Sequence, residues 1–208
     1  MACSSRWSGA VVIAAVSFLS TAGGQGDLVN RSFENGADPG EMTVVQPGST
    51  TIDGWTVVGK SVWYVGGKWK HAQGLRSVGL PCGGGISQTF ATEVDQDYEI
   101  RFNIAGDPNT KPPVKRLTVS AGAENSAFTF DTTGHSTGDM GWEARFWIFT
   151  ATGRTTTLTF LSPTTECTTP AVDNVRITLS EIGVRADPDV VLPHGGTRPD
   201  ETAALEQF

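Results

Sequence analysis

Positive charge is in short supply in this 208-residue chain: 15 Lys and Arg stand against 22 Asp and Glu, a formal charge of −7. Such a chain lacks the cationic surface that neutralises phosphates, which argues against nucleic acid as a partner. Recognisable chemistry is equally scarce. His71 and His135 stand alone, with no HExxH segment and no serine elbow nearby, so zinc and nucleophilic catalysis find no support. There is no P-loop and no dinucleotide fingerprint; the segments GDP (residues 106–108) and LPCGGG supply turns. No motif singles out a pair of carboxylates at the separation a glycosidase needs, so the chain reads as no enzyme. No tandem repeat and no sustained helical period is present.

What is present begins with a leader. MACSSRWSGAVVIAAVSFLSTAGG carries one basic residue, an apolar stretch from Gly9 to Leu19, and then small residues, the layout of a secretory signal peptide over residues 1–24. The apolar run falls well short of the roughly 20 residues that a membrane anchor needs. Removing Arg6 with the leader leaves 14 basic against 22 acidic residues, a net charge of −8. Cys82 and Cys167 then enter an oxidising compartment. A disulfide between them is the natural expectation, with two buried thiols as the alternative, because sequence does not show whether their α-carbons approach. Asn30-Arg31-Ser32 is a glycosylation sequon, meaningful in a host that glycosylates.

From residue 25 to 180 the chain is a succession of short alternating runs separated by Gly, Pro, Asn and Asp. Tyr98, Ile100, Phe102 and Ile104 alternate, as do Leu117, Val119 and Ala121, then Phe128 and Phe130, then Leu158 and Phe160. Trp142, Ala144, Phe146 and Ile148 share one side, which suggests core, and Trp147 lies on the other with Glu143 and Arg145. Ten or eleven short strands at this spacing predict an all-β fold, an antiparallel two-sheet jelly-roll sandwich. Beyond Leu179 the pattern stops. Residues 181–208 hold six acidic and two basic residues with three prolines, and read as an acidic, disordered tail.

One residue breaks the apolar pattern. In TTPAVDNVRITL, counting back by two from Leu179 places Ile177, Val175, Asp173 and Ala171 on one side. Asp173 is thereby aimed at the apolar side, and a buried carboxylate needs compensation by a metal ion, a set of donors, or water at a frayed strand end.

Six segments in order, LVNRSFENG, IDGWTVVGKSVWYV, QGLRSVGLPCGGGISQTFAT, YEIRFNIAGDP, MGWEARFWIFTATGRTTTLTFLSP and CTTPAVDNVRI, resemble the domain of unknown function 642 (DUF642) family of plant cell-wall proteins and the related bacterial choice-of-anchor C proteins. The resemblance covers nearly all of residues 27 to 179. It implies a secreted, galactose-binding-like jelly roll associated with cell-wall polysaccharides and with wall enzymes such as pectin methylesterases. This chain departs from the pattern in showing one such domain where plant members usually carry two. It also has Gly79 where an acidic residue is common, and no anchor follows the domain. Similar carbohydrate-binding jelly rolls hold a structural calcium through a Glu and an Asp at positions matching Glu34 and Asp173. Carbonyls of Ser32 and of the Lys70 to His71 loop would complete that shell. The alternative compensates Asp173 with hydroxyl or backbone N–H donors.

Trp55, Trp63, Tyr64 and Trp69 crowd into fifteen residues. Flat aromatic rings stack on the C–H face of a pyranose, so a sugar-binding role is expected for Trp63, Tyr64, Trp69 and Trp147, while Trp55 reads as core packing. In SVWYV, either Trp63 or Tyr64 faces away from the core. Trp69, between Lys68 and Lys70, is the best candidate for exposure. The two histidines read as solvated loop residues. The leading expectation is a secreted, noncatalytic module that binds cell-wall or extracellular polysaccharide; an acidic pectin is an awkward ligand for a chain at −8 unless calcium or a local basic patch such as Lys60, Lys68, Lys70 and Arg76 mediates it. The alternative is a protein-interaction module that docks on and regulates a wall enzyme.

Overall fold

The computed structural model describes residues 27–165 and 167–180. The expected leader (1–24) and acidic tail (181–208) lie outside the described residues. Among the described residues there are eleven strands and no helix. In chain order they are β1 (Met42–Val45), β2 (Thr56–Gly59), β3 (Val62–Val65), β4 (Ser77–Gly79), β5 (Gly84–Ala91), β6 (Asp97–Gly106), β7 (Val114–Ala121), β8 (Glu124–Asp131), β9 (Glu143–Thr150), β10 (Thr155–Leu161) and β11 (Pro170–Leu179). They form a six-stranded sheet, β1-β3-β4-β11-β6-β9, and a five-stranded sheet, β2-β5-β10-β7-β8, in which neighbouring strands pair antiparallel. The fold is the all-β jelly-roll sandwich that the alternation predicts.

The inward residues are those the period-two pattern marks. Tyr98, Ile100, Phe102 and Ile104 of β6 face Leu158 and Phe160 of β10 and Leu117 and Val119 of β7 across the core, each no more than 2 % exposed. Two aromatic clusters fill the interior. Phe33, Trp55, Phe160, Phe102 and Phe128 form a chain of ring contacts with centroids 5.0–6.2 Å apart, and Phe90, Tyr98, Phe149 and Trp147 form the second. Such pairs add about 0.5–1.5 kcal/mol each beyond their buried area. Trp55 is core, as read, and its indole N–H donates to the Asn30 carbonyl. The Asn30 amide itself donates to the carbonyls of Asn35 and Asp53, so the sequon's side chain is already engaged.

Cys82 and Cys167 form a disulfide that ties the loop after β4 to the segment before β11, with α-carbons 4.1 Å apart. At the two-residue β7–β8 turn, Gly122 takes φ +60°, the left-handed conformation that such hairpins require at their first turn position.

Two strands depart from simple alternation. In β11, Asp173 pairs with Asn103 but Arg176 pairs with Arg101, so two residues oppose one and the phase shifts. Asn174 absorbs the irregularity at φ +52°, which asparagine tolerates better than most residues. Asp173 and Ala171 therefore share the outer side with Asn103 and Ala105, while Val175 and Ile177 turn inward. Asp173 is buried, but not in the apolar core. In β9, Trp147 sits opposite the inward Ile100, and Phe146 opposite the outward Arg101. Ala144, Phe146 and Ile148 share the outer side and Trp147 packs inward beside Phe149, while Trp142, just before the strand, is half-buried against the core with its indole N–H on the Lys70 carbonyl.

Candidate functional site

The long β3–β4 connection folds back over the outer side of the six-stranded sheet. Gly66 and Gly67 start it, their amides donating to Glu41 and Gly40 carbonyls at 3.1 and 3.0 Å. Trp69 then packs on the sheet over Gly79, where a Cβ would stand 2.9 Å from its Cη2, and it is 4 % exposed. The expectation of exposure for Trp69 is thus corrected: the missing side chain at Gly79 makes a floor, and Ser77 accepts the indole N–H at 2.8 Å. The Ser77 hydroxyl in turn meets His71 Nδ1 at 2.9 Å, and His71 Nε2 meets the Gly66 carbonyl at 2.5 Å. His71 is a half-buried relay rather than a solvated residue, and burial lowers its pKa below the usual histidine value.

Tyr64 is corrected as well. It faces the core, 1 % exposed, with its hydroxyl donating to the Phe33 carbonyl at 2.5 Å and accepting from Arg76 Nη1 at 2.7 Å. Burial raises its pKa, opposed by Arg76. Trp63 is the residue of the pair that faces away from the core, but Trp69 tilts against it at 6.5 Å and Lys68 covers its ring at 5.3 Å. Trp147 is half-buried against the core. Of the four expected platforms, Tyr64 and Trp69 are buried, and Trp63 and Trp147 are partly exposed. The loop and its neighbours do line an open cleft of about 700 Å³, with Lys68, Lys70, His71 and Arg76 on its walls. Two of its cations are engaged: Lys68 with Asp107 at 3.8 Å, Arg76 with Tyr64 and the Gly36 carbonyl.

Beneath the same loop Asp173 finds its compensation. Its Oδ2 accepts the backbone N–H groups of Ala72 and Gln73, each at 2.9 Å, and its Oδ1 accepts that of Asn174 at 2.6 Å. Glu34 Oε1 likewise takes the N–H groups of Leu75 and Arg76, both at 2.9 Å, and Gly74 leaves room for that carboxylate. Burial pushes the Asp173 carboxyl up to about 7 in spite of its three donors, with Glu34 adding to the rise. Calcium needs carbonyl and carboxylate oxygens facing inward on one point. Here the positive ends of five N–H groups address the two carboxylates, and among the described residues no group of three His, Cys, Asp or Glu gathers. Glu34 and Asp173 as arranged fit a hydrogen-bonded clamp on the 70–76 loop better than a calcium cage.

Beyond the clamp, the outer face over β11, β6 and β9 is open. Phe146 stands on it 61 % exposed, with the Arg101 guanidinium 5.8 Å from its ring. Arg101 Nε donates to Glu99, whose carboxylate it holds on the sheet surface. The next positions are amides: Asn174 Nδ2 donates to Asn103 Oδ1 at 2.9 Å, and Asn174 Oδ1 accepts Arg176 Nε at 3.2 Å. An apolar ring with planar hydrogen-bonding groups on the neighbouring strands has the two halves of sugar recognition, stacking and hydroxyl capture. Sequence reading missed Phe146. The signal was available in β6, whose inward Ile100 and Phe102 put Arg101 outward, but only the β6–β9 register carries that assignment to Phe146.

Two packed antiparallel sheets with an aromatic and polar outer face define a β-sandwich module of jelly-roll type. The chain belongs to the DUF642 family, described as a protein of unknown function, whose sequence profile matches residues 26–178. It is 32 % identical over 179 residues to halomucin of Haloquadratum walsbyi, an alignment taking in 80 % of this chain and 2 % of that far longer protein. An arabinose-bound α-L-arabinofuranosidase superposes with a TM-score of 0.50 at 12 % identity, over 74 % of this chain and 26 % of the enzyme. The CBM22-1 xylan-binding domain from Paenibacillus barcinonensis superposes with a TM-score of 0.47 at 16 % identity, over 74 % of this chain and 95 % of that one. At these identities the structural likeness concerns the fold.

Proposed function

We propose that this protein is a secreted, noncatalytic module that binds extracellular or cell-wall polysaccharide on the outer face of its six-stranded sheet. The observation that carries the reading is Phe146, a large ring left 61 % exposed among Arg101, Asn103, Asn174 and Arg176. Leaving it bare costs apolar surface in water, which stacking against a pyranose would recover. The proposed site lies on β9 rather than on the first tryptophan cluster, where Trp55, Tyr64 and Trp69 are buried and Trp63 is partly exposed. The Cys82–Cys167 disulfide supports export to an oxidising compartment. Binding rather than turnover is favoured because the carboxylates beside the face are committed: Glu99 to Arg101 and Asp173 to three backbone donors. A glycosidase needs one such group free as an acid and another free as a base or nucleophile.

The test is retention of the chain from Gln25 to Phe208 on a panel of wall polysaccharides, beside its Phe146→Ala variant. Retention on at least one glycan, weakened at least about tenfold by Phe146→Ala at unchanged melting temperature, is expected. Retention untouched by the substitution removes the site from this face. No retention on any glycan, together with capture of a purified wall enzyme, replaces the reading with the protein-docking one.

A further inference from the structure

We infer that the polysaccharide taken by this face is anionic, carrying carboxylate or sulfate groups; this rests on the reading of the face just given. Phe146, Arg101 and Arg176 occupy one row across the adjacent strands β9, β6 and β11. At about 4.8 Å per strand the row spans roughly 10 Å from the ring to the second guanidinium. Both arginines are exposed, Arg101 at 63 % of its side chain.

Each is anchored through Nε: Arg101 on Glu99, and Arg176 on the Asn174 carbonyl, whose amide is in turn braced on Asn103. Among the described residues Arg176 has no carboxylate partner. Holding Nε fixes the plane of each guanidinium while leaving Nη groups for another acceptor. That planar fork matches a carboxylate or sulfate. A neutral chain lying along the row would strip water from Arg176 without supplying a counter-charge, and that desolvation opposes binding. An anionic one would pair it.

The chain's overall negative charge does not forbid this. At physiological salt the screening length is about 8 Å, so a ligand on the row feels Arg101 and Arg176 more strongly than distant carboxylates. Glu99 is the acidic side chain on these strands beside the row, and Arg101 already neutralises it; Asp173 is buried under the 70–76 loop.

The experiment measures binding of the Gln25 to Phe208 chain to three matched sets: polygalacturonate against its methyl ester, C6-carboxylated cellulose against cellulose, and sulfated cellulose against cellulose. At least one charged polymer is expected to bind about tenfold or more tightly than its neutral counterpart, with affinity falling as salt rises. A carboxylate-only or a sulfate-only preference names the source of the anion. Arg176→Gln is expected to reduce that preference to near unity, Arg176→Lys to restore part of it, and neither to change the melting temperature appreciably. Equal binding of charged and neutral partners, still lost in Phe146→Ala, overturns the anionic assignment and leaves the sugar face standing. A charge preference that survives Arg176→Gln also overturns it. Binding unaffected by Phe146→Ala brings down both.

Discussion

Trp69 lies across the α-carbon of Gly79, so close that a Cβ at that position would stand 2.9 Å from the indole Cη2. This contact is the loop's apolar seat on the sheet, beside the polar anchors at Ser77 and Asp173. Gly79→Ala is therefore expected to push Trp69 outward and cost about 1–3 kcal/mol, the usual penalty for overpacking. Urea denaturation followed by tryptophan fluorescence measures it. An unchanged midpoint would show that the indole moves aside freely.

Asp173 sets a pH dependence. A carboxyl raised on folding binds its proton more tightly in the native state, so its contribution to stability is whole below the unfolded value of about 4. It is lost as pH rises through about 7. Comparing the chain with Asp173→Asn isolates this: the wild type should lose stability relative to the variant between pH 4 and pH 7.5, by on the order of a few kcal/mol. His71 runs the other way, its contribution lost as pH falls through its lowered value, and it is common to both proteins. A pH-independent difference between the two would contradict the assignment.

Calcium is expected to leave the fold's stability unchanged. A ligand specific to the native state adds about 2.7 kcal/mol at a hundred times its Kd, a shift of several degrees. Since N–H donors already address Glu34 and Asp173, melting curves with millimolar calcium and with a chelator should superpose. A clear upward shift with calcium would restore the cage and require the 70–76 loop to turn its carbonyls toward the two carboxylates.

The disulfide closes 85 residues of sequence. Replacing Cys82 and Cys167 together by serine should cost about 2–5 kcal/mol, read from the denaturation midpoint. Thiol titration of the unfolded, unreduced chain from Gln25 onward should find no free thiol; two would mean the bridge does not form.

Alternation alone located the β6, β7, β8 and β10 runs and the inward side of each. Tyr98, Ile100, Phe102 and Ile104, or Leu158 and Phe160, can point only one way once a strand must bury an apolar side, because successive side chains on a pleated strand face opposite directions. Composition likewise indicated the cysteine pair before any distance was known. The face of β9 was beyond its reach, since Trp142, Phe146 and Ile148 on one side and Trp147 and Phe149 on the other are both apolar. Pairing with β6 settled it by setting Trp147 opposite Ile100.

Asp173 shows the same limit within a strand. Counting by two is valid until a residue is inserted, and the bulge at Asn174 inverted everything on its N-terminal side. Sequence by itself thus determined a two-sheet β-domain with a defined apolar set, because those properties depend on local period and composition. Only the tertiary structure decided that Trp69 is covered, that Asp173 is held by loop amides and that Phe146 is bare. Each of those depends on which strand lies beside which, and in what register, a relationship among residues far apart in the chain.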